Sequence, residues 1–380
     1  MVNKIPIAVL VFLITLSFDS NGALSGYVKS LNLNSKTILI DPDYVEASIN
    51  RVRTTYRDRF NNTNLWISYD VEYRTGSYFD NYQNELMTQL APDTYWELER
   101  TWRYNDNERF HGLYRAYIKH SVNNSDLRVG RQQINWSKSF LWSSVDRFNA
   151  YNPLQLEPEE RRGVDAFQWI VNRGNGDMLE GVYVFGHDSN QKAGGLRYRT
   201  HLKNTDFEYV LADFGDVYAV GITSAGQLID AGWRLEITEN KHNNPTTIQK
   251  KRFKDIVASL DYTFPGQLTL ILEALYRGDG ATTSSRYQWQ ELFALKRVNL
   301  AKHYAGLTLR KGFGPIFSSD LVYLENLDDQ SNVLMPTLSY SLPEFEDVSL
   351  KIGGQLFSGE SNTEYGSFND LVYGEIQWFF

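Results

Sequence analysis

The chain of 380 residues contains no cysteine, which excludes a disulfide framework and any thiolate metal site. Histidine is scarce, six in all, and none falls in an HExxH spacing. A GxSxG elbow, a phosphate-binding loop and a dinucleotide fingerprint are also missing, so no catalytic motif is legible. Basic charge is in deficit: 38 Lys and Arg against 46 Asp and Glu leave a formal net charge of -8. That balance argues against nucleic acid as a partner. The 10 prolines and 27 glycines are scattered, and no linker divides the chain into domains. Beyond Phe18 no apolar run is long enough to cross a bilayer as a helix.

What is abundant is aromatic side chains, 14% of the chain with 24 Tyr and 9 Trp, and alternation at period two. In Thr63 to Arg74, Leu65, Ile67, Tyr69, Val71 and Tyr73 share one strand face, and Ser68, Asp70, Glu72 and Arg74 the other. Ile229, Ala231, Trp233, Leu235 and Ile237 likewise oppose Asp230, Gly232, Arg234 and Glu236. The pattern recurs at Ile256 to Phe264 and Val348 to Leu356; it is weak at Met178 to Phe185 and Phe317 to Glu325. Charges midway along so many strands suit a barrel in lipid, apolar outside and polar within, and the aromatics suit its interfacial girdles. Turn chemistry at Asn123-Asn124, Arg173 to Gly176, Lys203-Asn204, Ser224 to Gly226, Pro265-Gly266 and Gly312 to Pro315 alternates with longer connections.

The two ends of the chain sharpen this reading. Ile5 to Phe18 is a secretory h-region in length and character, followed by small residues that place cleavage near Gly22 or Ala23. We therefore expect a signal peptide over residues 1–22 and one domain over 23–380. The last ten residues, LVYGEIQWFF, alternate to the final position, with Ile376, Trp378 and Phe380 on one face. This ending resembles the last strand of bacterial outer-membrane porins, in which a terminal Phe serves as the signal for barrel insertion. The expected fold is all-β: a transmembrane antiparallel up-and-down β-barrel of about eighteen strands, or sixteen, with long extracellular loops and short periplasmic turns. Both termini should be periplasmic, with Tyr373, Glu375 and Gln377 pairing with the first strand near Tyr27 to Leu31.

The most distinctive segment runs from Leu127 to Asp165. Its order Gly130, Arg131, Gln132, Trp136, Asp146, Arg147, Asn149, Asn152, Pro153 resembles a signature of poorly characterised porin-like outer-membrane families, and is similar to alginate-export-type barrels. The resemblance covers about forty residues. It implies a channel in a Gram-negative outer membrane, without a cofactor or catalytic residues. The implied partners are the bilayer, lipopolysaccharide, the barrel-assembly machinery and a polar or anionic solute or polysaccharide. The segment also mixes charge closely: Asp146 with Arg147, then Glu157, Glu159 and Glu160 with Arg161 and Arg162. Folded into the barrel mouth, it would form a constriction with a transverse field; an ordinary solvated outer loop is the competing reading.

Strand phase places Arg51, Arg53, Arg74, Arg115, Lys119, Arg128, Arg197, Arg199 and Lys203 inward, all before Asn204. Asp230, Glu236, Asp255, Asp261 and Glu273 face inward later, so one wall reads basic and another acidic. Strict alternation sends Arg131 outward beside Val129. The function expected is diffusion or facilitated transport of small polar, anionic solutes, or export of an anionic polysaccharide. A non-conducting surface barrel that binds polysaccharide, with Tyr78 to Trp102 as its surface, is the alternative. An outer-membrane hydrolase using His120 or His201 is a third reading.

Overall fold

The computed structural model describes residues 22–36, 44–79, 94–104, 107–149, 151–157, 160–161, 163–188, 191–243, 245, 250–293 and 298–380. The expected leader lies outside them except for Gly22. Among the described residues the strands are β1 (Ala23–Lys36), β2 (Tyr44–Phe60), β3 (Thr63–Thr75), β4 (Glu99–Tyr104), β5 (Asn107–Val122), β6 (Ser125–Gln132) and β7 (Val164–Gly174). They continue as β8 (Asp177–Val184), β9 (Ala193–Leu202), β10 (Thr205–Asp213), β11 (Val217–Leu228), β12 (Ala231–His242) and β13 (Arg252–Phe264). The last are β14 (Leu268–Arg277), β15 (His303–Gly312), β16 (Phe317–Asn326), β17 (Asn332–Ser341), β18 (Val348–Ser358) and β19 (Leu371–Phe379).

All are antiparallel, and β1 pairs with both β2 and β19, so the barrel wall closes on itself. The short β4 pairs only with β5, as a hairpin above the end of β6. The remaining eighteen strands form the closed wall. At the seam Lys29 pairs with Gln377, Leu31 with Glu375 and Leu33 with Tyr373. The amide of Phe380 donates to the carbonyl of Gly26 at 3.0 Å, and Gly26 returns the bond at 2.8 Å. Closure satisfies the backbone groups that an open sheet would leave unpaired in lipid.

The faces are inverted relative to a soluble sandwich. Val28, Val52, Val71, Ile118, Leu196, Leu211, Leu260, Leu272, Ile352 and Trp378 are exposed on the outside. Lys29, Arg53, Asp70, Arg115, Glu180, Glu208, Glu236 and Glu273 are buried inside. The two weakly alternating segments form β8 and β16 nevertheless. Their pattern is blurred because Val182 and Val184, and Val322 and Leu324, pack inward against apolar clusters, so both faces of those strands are apolar.

β1 begins and β19 ends at the end of the barrel with the short connections. Asn61, Asn123 and Asn175 take left-handed conformations there at φ near 50°, which Asn tolerates well. Ser224 to Gly226 is not a turn. It lies inside β11, where Gly226 faces Trp233 across the ladder and a Cβ would stand 3.0 Å from the indole. The chain reverses instead at Ile229-Asp230, with Ile229 at φ 59° and 90% exposed. Asp230 is therefore a turn residue rather than a lumen residue, and so is Lys203, at φ 55°. In both cases the alternating pattern runs past the last ladder pair into the reversal.

At the seam a Cβ on Gly26 would meet the Arg53 carbonyl and the Phe380 ring, whose nearest carbon lies 2.6 Å from that position. Gly26→Val should therefore obstruct closure, and deletion of Phe380 should remove both bonds to Gly26. We expect each variant to lose most of the heat-modifiable, compact band that a folded barrel gives on cold SDS gels. Normal yields of that band for both would contradict the seam geometry.

Candidate functional site

The long connection between β6 and β7 leaves the rim and crosses the inside of the barrel. Its route is fixed by carboxylates on the inner wall. Glu236 on β12 accepts hydrogen bonds from the amides of Lys138 (2.7 Å), Ser139 (3.2 Å) and Ser144 (2.9 Å), and from the hydroxyls of Ser137 and Ser143. Glu273 on β14 accepts from the amides of Phe140 (2.9 Å), Leu141 (2.9 Å) and Trp142 (2.7 Å). These amides have no ladder to join, and a buried amide without a partner costs about 1–3 kcal/mol.

The rest of the connection is tied to other strands. The Trp136 indole donates to Glu180 on β8 at 3.0 Å, Arg147 reaches Asp255 on β13 at 3.4 Å, and Gln355 on β18 donates to the Leu154 carbonyl at 2.8 Å. Glu157 bridges Lys29 and Arg51, and Glu160 takes hydrogen bonds from Arg53 and Tyr27. Two apolar clusters hold it from within. Ile134, Trp136, Val145 and Phe148 pack on the inner faces of β8, β10 and β11; Leu141 and Trp142 pack on those of β13 to β17.

The signature residues of this segment are structural anchors. Gly130 sits at φ 130°, where a Cβ would collide with the Ala116 carbonyl oxygen. Arg131 does not face lipid but is completely buried. It donates to Asp165 (2.9 Å), to Glu99 of β4 (2.7 Å) and to the carbonyls of Leu113 and Trp96. The 94–104 segment covers the place where alternation alone would leave it bare. Gln132 donates to the Ala166 carbonyl, and Asn152 to Pro153 begins a turn in which Asn152 accepts from the Leu154 amide. Asp146 offers no charge to the mouth: it is 2% exposed and accepts the amides of Trp136, Phe148 and Asn149. Burial pushes its carboxyl up to about 6 against those donors. Arg161 donates to the Asn149 carbonyl; Glu159 and Arg162 lie outside the described residues.

The inward-phase cations of β2 to β9 line the wall, but most are matched. Arg51 binds Glu72, Arg53 binds Asp70 through both nitrogens at 2.6 Å, and Arg74 bridges Glu72 and Glu108. Lys119 binds Asp126, and Arg197 and Arg199 share Glu208. The half of the barrel that reads as basic thus carries its own buried carboxylates. On the later wall Asp261 pairs with Arg234.

One region differs. Toward the end with the short turns, a cavity of about 570 Å³ is lined by Arg53, Arg57, Arg115, Arg128, Trp66, Tyr117 and neighbours, with no Asp or Glu side chain in its lining. Arg57 lies 3.8 Å over the Trp66 ring and Arg128 4.8 Å over Tyr117, and those two rings stack at 5.8 Å. Neither Arg57 nor Arg128 pairs with a carboxylate among the described residues, and the buried Nε of Arg128 has no hydrogen-bond partner. Sequence reading missed Arg57, Trp66 and Tyr117. Arg57 shares the phase of Arg51 and Arg53, and that was the available signal.

At the opposite rim the 359–370 connection folds inward. Glu364 is 1% exposed and accepts from Tyr304, from Asn326 (2.7 Å) and from the Leu300 amide (3.1 Å). Burial, with Asp329 close by, pushes its carboxyl up to about 7 despite these donors. His120 bonds Thr63 and His201 bonds Asp206, both near turns.

No family model matches this chain, and no curated relative matches it either. Solved structures do match in fold. A BenF-like porin from Pseudomonas fluorescens Pf-5 is 12% identical with a TM-score of 0.61, covering 94% of this chain and 98% of that one. OccK8 (OprE) of Pseudomonas aeruginosa is 10% identical with a TM-score of 0.61, covering 95% and 98%. OpdK of Pseudomonas aeruginosa, solved with vanillate, is 10% identical with a TM-score of 0.58 and the same coverages. The chain shares the porin fold over nearly its whole length.

Two outcomes follow from this geometry. Glu236→Ala combined with Glu273→Ala removes the carboxylate acceptors of six loop amides and should raise single-channel conductance in planar bilayers while the barrel still inserts. The proton on Glu364 is held more tightly in the docked loop than in solution, so docking is favoured at low pH and weakens as pH rises through about 7. Hydrogen exchange over residues 359–370 should therefore quicken between pH 5 and 7.5, beyond the intrinsic base-catalysed rise, and Glu364→Gln should flatten that extra dependence.

Proposed function

We propose that this protein is an outer-membrane channel, not an enzyme, through which small anionic solutes diffuse into the periplasm, and that residues 1–22 are a leader removed on the way. The observation that carries the reading is the arginine-lined cavity below the crossing loop. Arg57 and Arg128 face it with no carboxylate partner among the described residues, beside Arg53 and Arg115, whereas most other cations along this wall are neutralised by neighbouring strands. An anion within about 5 Å of one unpaired guanidinium gains roughly 1–3 kcal/mol at effective dielectrics between 80 and 20. That is enough for selection and weak enough for release, as conduction requires.

The stacked Trp66 and Tyr117 rings beside Arg57 and Arg128 favour flat carboxylates over spherical inorganic anions. OpdK, similar in fold, was solved with vanillate, which agrees with that solute class. The loop tied across the lumen favours small solutes over a polysaccharide chain.

Reversing both unpaired charges, Arg57→Glu with Arg128→Glu, tests the reading. In a salt gradient the wild-type reversal potential should report anion preference, and the double variant should shift toward cations. Liposome swelling with a benzoate-type solute should slow several-fold in the variant. Unchanged selectivity in a variant that inserts normally would sink the proposal.

A further inference from the structure

The outer surface above β11 to β15 carries charge of the opposite sign to the chain as a whole. Lys241 on β12 and Arg252 on β13 are direct cross-strand partners, both exposed and both on the outward face of their strands. Like charges placed opposite each other on a sheet destabilise it unless an anion lies between them. One pleat lower, Lys254 opposes Glu239 at 3.6 Å, and a second exposed carboxylate, Asp216, stands just before β11. Lys251 adds a further exposed cation at the same rim.

Below the cations the same outward face turns apolar without a break. Ile237 pairs with Ile256, Leu235 with Ala258 and Trp233 with Leu260. From the Ile237–Ile256 pair to the Lys241–Arg252 pair is four residues, roughly 13 Å along the strand. Aromatic residues flank the step. Tyr218 on β11 is exposed opposite Lys241, and Lys302 lies 5.2 Å over the Tyr276 ring on β14. The surface is thus layered: apolar wall, aromatic border, cations.

We propose that this rim is a binding site for a phosphorylated glycolipid of the outer leaflet. Its phosphates would be held by Lys241, Arg252 and Lys254, and its acyl chains would lie along Ile237, Ile256 and Leu260. The site rests on the reading of the chain as an outer-membrane barrel, because only the end away from the short turns then faces a leaflet of such lipids. Phosphate is the ligand chemistry because compact cations at headgroup height, over an apolar wall, match a lipid that is anionic at one end and apolar at the other. The site is outside the lumen and separate from the cavity that selects solute.

The refolded full-length barrel is titrated with diphosphoryl lipid A, and in parallel with the same acylated disaccharide lacking phosphate. Bound lipid is counted by native mass spectrometry. The wild type should bind the phosphorylated lipid at least tenfold more tightly. The triple variant Lys241→Gln, Arg252→Gln, Lys254→Gln should lose that preference while keeping its conductance and reversal potential. Inorganic phosphate at millimolar concentration should not displace the lipid, since the acyl chains supply part of the binding. Equal binding of both lipids by the wild type, or undiminished preference in the triple variant, would overturn the site and leave the channel reading intact. A barrel that fails to insert into bilayers would overturn the channel reading and this site together.

Discussion

Two glutamates on the inner wall, Glu236 and Glu273, hold the backbone amides of a loop that would otherwise have nothing to bond to. A chain crossing the middle of a barrel cannot join the sheet, and its amides are cut off from most water. Between them these carboxylates accept six amides from Lys138 to Ser144. The dependence is mutual. A buried carboxylate is costly without donors, and the loop's N–H groups are costly without acceptors, so each makes the other tolerable. Asp146 repeats the device within the loop by accepting Trp136, Phe148 and Asn149.

Once the loop is held there, the lumen is no longer a uniform polar tube. Its upper part becomes a second apolar interior, with Trp136 and Phe148 at one side and Leu141, Trp142 and Tyr304 at the other. Inner-wall positions under those side chains are Val, Ala, Leu, Met and Tyr rather than charge, which is why the affected strands lose their rhythm. A small domain buries its core between its own sheets; this barrel, exposed to lipid outside, packs its loops inward instead.

Charge is divided by the same arrangement. Inside, most cations are neutralised across adjacent strands, and the exceptions gather below the loop, where Arg57 and Arg128 lie against aromatic rings. Outside, Lys241 and Arg252, which have no carboxylate partner among the described residues, stand at one rim. The chain is acidic overall, so these places are set by which neighbours happen to lack a carboxylate, a property of strand order and register rather than of composition.

Much of the architecture was written in period two. The outward apolar face, the short turns at Asn123 and Asn175, the pairing of the last strand with Leu31, and the approximate number of strands follow from local patterns that each strand carries alone. The same logic failed where register decides. Ser224 to Gly226 reads as a turn by composition, but those small residues make room for Trp233. Arg131 reads as lipid-facing by phase, but β4 and Trp96 cover it. Arg57 was overlooked because a lone cation in phase says nothing about whether a partner stands opposite. Sequence by itself determined the strands and their two faces, because alternation needs only nearest neighbours along one strand, and the ending in Phe380 pointed to a barrel in lipid rather than a soluble sandwich. Only the tertiary structure decided what the barrel encloses. Glu236, Glu273 and the loop they hold are about a hundred residues or more apart, and no local pattern encodes a hydrogen bond across that distance.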